Sequence, residues 1–150
     1  MSLAEFEDWQ LALAEEYARE QVAAGRWPEA GAVDRAREES LARLPQGLAT
    51  PRMLLLRGVD ADGEPVGQAW VGLDHPRGAP GVAFLYDIEV LDSRRGQGLG
   101  RALLSAVEAA TRDAGLGALE LNVFGHNRVA IALYDSSGYT VTAQQMRKAL

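Results

Sequence analysis

The run VAFLYDIEVL, residues 82–91, is apolar for most of its length, and RRGQGLGRALL follows with three glycines in five residues before an apolar-periodic segment. A strand buried on both faces reads this way. The segment beyond it, with Leu99, Leu103, Val107 and Ala110 on one face, reads as a helix that stops at Gly115. A buried strand entering a helix through a tight turn demands a mixed sheet with a helix packed on one face. The glycines need a separate reason, because each costs roughly 1 kcal/mol relative to alanine inside a helix.

The rest of the chain fits around this unit. Ser2 and Glu5 have capping-box spacing, and Leu3, Phe6, Trp9, Leu13, Tyr17 and Val22 continue at mostly helical intervals to about Ala24. A weaker helix is expected over Asp34–Leu44. RMLLLRGV and PVGQAWVGL read as strands joined by the turn DADGE. After the 82–91 strand and its helix, ALELNVF alternates as another strand. A short helix covers Asn127–Ser137 and closes on Gly138, and YTVTAQQMRKAL is expected to add one last strand. Two helices, an antiparallel meander and a strand–helix–strand–helix–strand order define an α/β or α+β fold with a mixed sheet. At 150 residues the chain is read as one domain.

Composition narrows the chemistry. There is no cysteine, which removes disulfides, thiolate metal sites and a cysteine nucleophile together. With only His75 and His126, no metal centre is expected. A net charge of −6 argues against nucleic acid as a partner, since phosphate backbones require a basic face. No apolar run approaches the ~18 residues of a membrane span. The acidic, amphipathic start MSLAEFEDWQ lacks the zones of a signal peptide, so a cytoplasmic location is expected.

Phosphate-loop templates can be tested by counting. G-x-G-x-x-G fails from Gly96, where its third glycine falls on Arg101, and from Gly98, where it falls on Leu103. The P-loop fails for want of a lysine after the glycines. A nucleotide-binding domain is therefore a poor fit. R-x-x-G-x-G does fit, at Arg95, Gly98 and Gly100. Glycines let the main chain approach a ligand, and a helix start presents unpaired N–H groups suited to a diphosphate. Arg94, Arg95 and Arg101 add positive charge, the alternative being a plain tight connection with solvated arginines.

VLDSRRGQGLGRALL resembles the acyl-CoA-binding signature of the GNAT superfamily of N-acyltransferases, and LNVFGHNRVAIALYDSSGY is similar to its second signature. With the meander, the resemblance covers about the last two-thirds of the chain. It implies a mixed, centrally splayed sheet flanked by helices. Residues 1–50 would be a variable helical acceptor side and 51–150 an acyl-CoA-binding core. Against the usual family fold, the first strand is missing and the C-terminal strand region is shortened.

The resemblance further implies that acetyl-CoA is the co-substrate. Its diphosphate would lie on Arg95, Gly96, Gln97, Gly98, Leu99, Gly100 and Arg101, and its pantetheine arm along Ile88–Val90. Asn127 matches a cofactor-contacting asparagine and is equally placed as a helix N-cap. Tyr134 matches a tyrosine that protonates the departing thiolate. Its alternative is core packing with Ala130 and Leu133.

A protonated amine cannot attack a thioester, so a base is needed, and Asp87 and Glu89 alternate onto one side of the central strand. The alternative for them is an ion pair with Arg94 or another basic group. Glu120 is the next candidate. Trp27 and Trp70 are candidates for lining the acceptor pocket, although such residues are more often core. Glu5, Glu15, Glu16 and Glu20 form a solvated acidic face that would favour a cationic amine.

The expected activity is N-acetyl transfer to a primary amine, on a small molecule or a peptide, by direct attack in a ternary complex. The other reading is a non-catalytic coenzyme A sensor or interaction domain of the same fold. A homodimer is compatible with either. Alanine at Gly98 or Gly100 is expected to weaken coenzyme A binding without loss of stability.

Overall fold

The chain opens with the expected capping box. Ser2 Oγ accepts from the Glu5 N–H at 3.3 Å, and the Glu5 carboxylate accepts from the Ser2 N–H at 2.7 Å. Helix α1, Leu3–Ala23, comes next and ends at Gly25, whose φ of +66° only glycine adopts freely. Helix α2, Ala32–Arg43, starts two residues earlier than expected, behind left-handed Gly31. The two helices meet through Ala14, Ala18, Ala32 and Ala36, small side chains that let the backbones approach, with Trp27 sealing one end. The computed structural model describes residues 1–150.

Four strands form one sheet in the order β1 (Met53–Val59), β2 (Pro65–Gly72), β3 (Val82–Val90) and β4 (Ala118–Leu121). The first two pairings are antiparallel. The third is parallel and therefore needs a crossover, supplied by helix α3, Leu99–Asp113. Helix α4, Arg128–Ser136, completes a mixed α+β fold.

Each face of the sheet has its own core. On the α3 side, Ala69, Val71, Ala83 and Leu85 meet Leu104 and Val107. On the α1 side, Phe6, Trp9, Leu44 and Trp70 cluster, with the Trp70 and Tyr86 rings stacked 4.6 Å apart. Trp27 and Trp70 are thus core residues, at 9% and 4% exposure. No helix is long and apolar enough to cross a membrane.

Strand β3 has two irregularities. Trp70 pairs with Asp87 but Val71 pairs with Leu85, so Tyr86 is an extra residue, a β-bulge. Leu85 and Ile88 consequently both face α3, three residues apart, while Asp87 reaches the α1 side. The second irregularity is the splay. β4 pairs only with Val82–Leu85, so the rest of β3 has no neighbour on that side.

The expected last strand does not form. Residues 139–150 carry no regular structure, and Val141, Met146 and Leu150 are exposed. Only Tyr139 packs on the core, where its hydroxyl donates to Glu108 at 3.0 Å. After Val141 the alternating positions are Ala143 and Gln145, which offer little apolar surface to bury against a four-residue edge. Side chains hold the segment instead, through Arg26 to Gln145 and Arg147 to the Gly25 carbonyl.

Candidate active site

The glycine turn departs from a plain helix start. Asp92–Arg94 form a single 3-10 turn, Arg95 is extended, and α3 begins only at Leu99. Gly96 and Gly98 therefore precede the helix, both with φ of +75°, and only Gly100 lies inside it. A Cβ at Gly96 or Gly98 would meet no atom within 4 Å, so open space lies over the turn. Gly98 contributes no side-chain cap, which leaves the first N–H groups of α3 facing outward with the positive end of the helix dipole. The turn fits a diphosphate.

The three arginines around it are all engaged. Arg94 donates to Asp60 at 2.6 Å, and this bond holds the Asp60 carboxyl below the usual range. Arg101 bonds the Ser136 carbonyl and the Ser136 and Ser137 hydroxyls, tying the start of α3 to the end of α4. Arg95 folds back on β3, with Nε donating to the Val90 carbonyl at 3.1 Å and Nη2 to Glu89 at 3.2 Å. Gln97 is exposed on the turn and Leu99 half-buried.

The splayed strand is the second element of the site. The Leu91 N–H donates to the Val66 carbonyl, so by antiparallel alternation the main-chain groups of Ile88 and Val90 point away from β2, toward the gap. Amides of an extended ligand can pair there as an added strand. Where β3 and β4 diverge lies a cleft of about 130 Å³, lined by Leu85, Asp87, Ile88, Leu121, Asn122 and Tyr134 among others.

Asp87 and Tyr134 face this cleft with altered proton affinities. Burial pushes the Asp87 carboxyl up to about 6. The charges of Glu89 and Glu16 add to this, and a 3.1 Å hydrogen bond from the Trp9 indole N–H opposes it. Burial, and then the Asp87 charge, raises the Tyr134 hydroxyl above its usual range. Tyr134 is thereby kept protonated as a donor, while Asp87 becomes a carboxylate near neutrality.

Glu89 lies outside the cleft, between Arg95 and Gln68, whose side-chain amide donates to it at 3.3 Å. Its cation is therefore Arg95, not Arg94. Glu120 points elsewhere, into an ion pair with Arg77 and beside His75, and is not placed to act as a base. Asn127 caps α4 by accepting from the Ala130 N–H at 3.1 Å, its capping role. Two contributors escaped sequence reasoning. Trp9 reads as one more apolar position of α1, although an indole N–H in a core requires a partner. Asp60 sits in the β1–β2 turn, 34 positions from the arginine it holds.

Gly98 and Gly100, which share one expectation on sequence grounds, differ in the folded chain. Gly98→Ala places a side chain at left-handed φ, an expected loss of about 1 kcal/mol. Gly100→Ala puts its methyl 3.5 Å from Leu133, an ordinary contact, and gains up to about 1 kcal/mol of helix propensity. Thermal denaturation should show the melting temperature falling for the first and holding or rising for the second. Coenzyme A titration should show weaker binding for Gly98→Ala, whose methyl enters the open space over the turn, and little change for Gly100→Ala, whose methyl faces Leu133.

The profile of the Acetyltransferase (GNAT) family matches residues 13–139. The chain belongs to the GNAT family. Its relatives agree with that assignment. It is 32% identical to YycN of Bacillus subtilis (strain 168) over 100% of this chain and 96% of that one. It is 29% identical to YdgE of the same organism, covering 100% and 95%, and both relatives are described as uncharacterized N-acetyltransferases. The crystal structure of YycN superposes with a TM-score of 0.91, covering 100% of this chain and 95% of that one. Aminoglycoside N(6')-acetyltransferase type 1 of Stenotrophomonas maltophilia is 40% identical over 63% of this chain and 60% of its own. This GNAT protein is accordingly an acyl-CoA-dependent N-acetyltransferase, and the family's donor is acetyl-CoA.

Proposed function

We propose that the enzyme transfers acetyl from acetyl-CoA to a primary amine by direct attack in a ternary complex. The observation that carries this reading is one cleft, where β3 and β4 diverge, that holds a carboxylate ionising near neutrality and a protonated tyrosine. Residues 1–50 form the acceptor side and residues 51–150 the coenzyme-binding core of a single domain.

The thioester supplies the activated acetyl group. The outward N–H groups of the Gly96–Gly100 turn and the start of α3 bind the diphosphate, and Ile88 and Val90 pair with the pantetheine amides. Asp87 takes a proton from the incoming ammonium, directly or through a water, and so frees the nitrogen lone pair to attack the acetyl carbonyl. Tyr134 donates its hydroxyl proton to the sulfur as the carbon–sulfur bond breaks. The acetylated nitrogen sheds its second proton to the tyrosinate, directly or through a water of the open cleft, which restores the hydroxyl, and Asp87 releases its own proton to solvent. No cysteine is present to carry the acetyl group, which supports direct transfer over a covalent acyl-cysteine.

The acceptor is a cationic amine. Glu16 is near enough to raise the Asp87 proton affinity, and Glu20 lies one turn further along α1, paired with His126. A matched relative named for aminoglycoside acetylation supports the same class. Calorimetry with coenzyme A, acetyl-CoA, NAD and ATP is the first test, with binding expected only for the two thiol-derived ligands. A preference for ATP or NAD would overturn the reading. Polyamines, aminoglycosides, amino acids and peptide N-termini, screened with acetyl-CoA, then identify the acceptor.

A further inference from the structure

Arg95 occupies the groove that the coenzyme would use. Its Nε holds the Val90 carbonyl, one of the main-chain acceptors that face the splay, at 3.1 Å. Its Nη2 holds Glu89 at 3.2 Å, and its Nη1 lies 2.8 Å from Asp92. Both carboxylates are themselves solvated, Glu89 at 40% and Asp92 at 86% side-chain exposure, and Arg95 is 59% exposed. Ion pairs this exposed are weak and readily exchanged. The next residue along the chain is Gly96, at the start of the turn that fits a diphosphate, so the guanidinium needs only side-chain rotation to reach that turn.

We propose that Arg95 is a displaceable plug: it closes the coenzyme groove in the free protein and moves to the diphosphate when coenzyme A binds, releasing Val90 and Glu89. The proposal rests on the diphosphate reading of the glycine turn. A diphosphate offers the guanidinium several charged oxygens in one place, which suits its planar fork better than one carbonyl and two separate carboxylates. Leaving Val90 frees its carbonyl for the pantetheine arm. Leaving Glu89 adds an uncompensated negative charge next to the acceptor side at the moment the donor is in place. Glu89 is then a positioning residue that competes with the coenzyme for Arg95.

This competition has an unusual sign. Glu89→Gln should tighten coenzyme A binding by about two- to fivefold, because the pair that must be broken is weaker. Arg95→Gln should loosen it about tenfold or more, through loss of a charge-assisted contact. In the Arg95→Gln background the Glu89→Gln change should have no further effect, since nothing is left to release.

Calorimetric titration of all four proteins with coenzyme A, with melting curves to confirm folding, gives the cycle. The Arg95 Nε–H resonance should also move on addition of coenzyme A to the wild type. Equal tightening in both backgrounds would mean simple repulsion between Glu89 and the diphosphate and would overturn the plug. So would unchanged or weaker binding by Glu89→Gln alone. A wild-type protein that does not bind coenzyme A overturns the diphosphate reading as well, whereas binding with an additive cycle overturns the plug only.

Discussion

Tyr134→Phe is expected to lower turnover about 10²-fold, the lower end of what a positioned acid contributes. The ring stays, so its packing against the α3-side core survives and coenzyme A affinity should remain within a few-fold of wild type. Burial and the neighbouring Asp87 charge hold the hydroxyl proton on at all working pH values. The loss should therefore be uniform with pH and show no alkaline rescue. Steady-state kinetics with coenzyme A titration test this. Full turnover in the Phe variant would return Tyr134 to a packing role and leave the sulfur to be protonated by solvent.

Asp87→Asn is expected to show the opposite trade, a large loss of activity with a gain in stability. Activity should fall by ~10²–10³-fold near neutrality. The ascending limb of the wild-type pH profile, centred near the carboxyl's value of about 6, should disappear. Part of the loss should return at high pH, because an amine with a solution pKa near 10.4 then deprotonates unaided.

The stability change has its origin in the same shift. In the unfolded chain the carboxyl ionises near 4, and in the folded protein near 6. Folding therefore takes up a proton between those values. The cost of holding the charge is absent below 4, grows as pH rises and is complete above 6. Asparagine keeps an acceptor for the Trp9 indole without the charge. At pH 8 the variant should be more stable by about 1–2 kcal/mol, allowing for the solvent that reaches the half-buried carboxyl. That corresponds to roughly 2–8 °C in melting temperature, and the difference should vanish near pH 4. Equal melting temperatures at both pH values would mean that Asp87 is not held at a raised value.

Much of this architecture was legible in the sequence because local chemistry and tertiary packing agreed. The Ser2–Glu5 box, the meander around DADGE and the apolar run into the glycines each specify one local structure, and each appears where expected. The last strand failed because alternation after Val141 lacks apolar weight, and tertiary burial decides whether such a segment pairs. Asp87, Ile88 and Tyr134 do converge on one cleft. The engagement of the arginines could not be read, because Arg94–Asp60 and Arg101–Ser136 join positions far apart in sequence with no local signature. Nor could the partner of Trp9, since its indole bond spans 78 positions.

The extra residue at Tyr86 makes the chemistry depend on chain length as well as on residue type. Ahead of the bulge, Ala83 and Leu85 give β3 one parity with respect to α3. Behind it, Ile88 restores contact with the same layer on the opposite parity. Removing one residue there would leave every other side chain of the strand chemically intact. It would nevertheless turn the carboxylate of Asp87 into the apolar layer under α3 and bring Ile88 out beside Trp9. Tyr86→Phe, which keeps both the residue count and the ring stacked on Trp70, should spare the reaction, whereas a single-residue deletion should abolish it. Variation in this enzyme is therefore constrained at that point by insertion and deletion more tightly than by replacement.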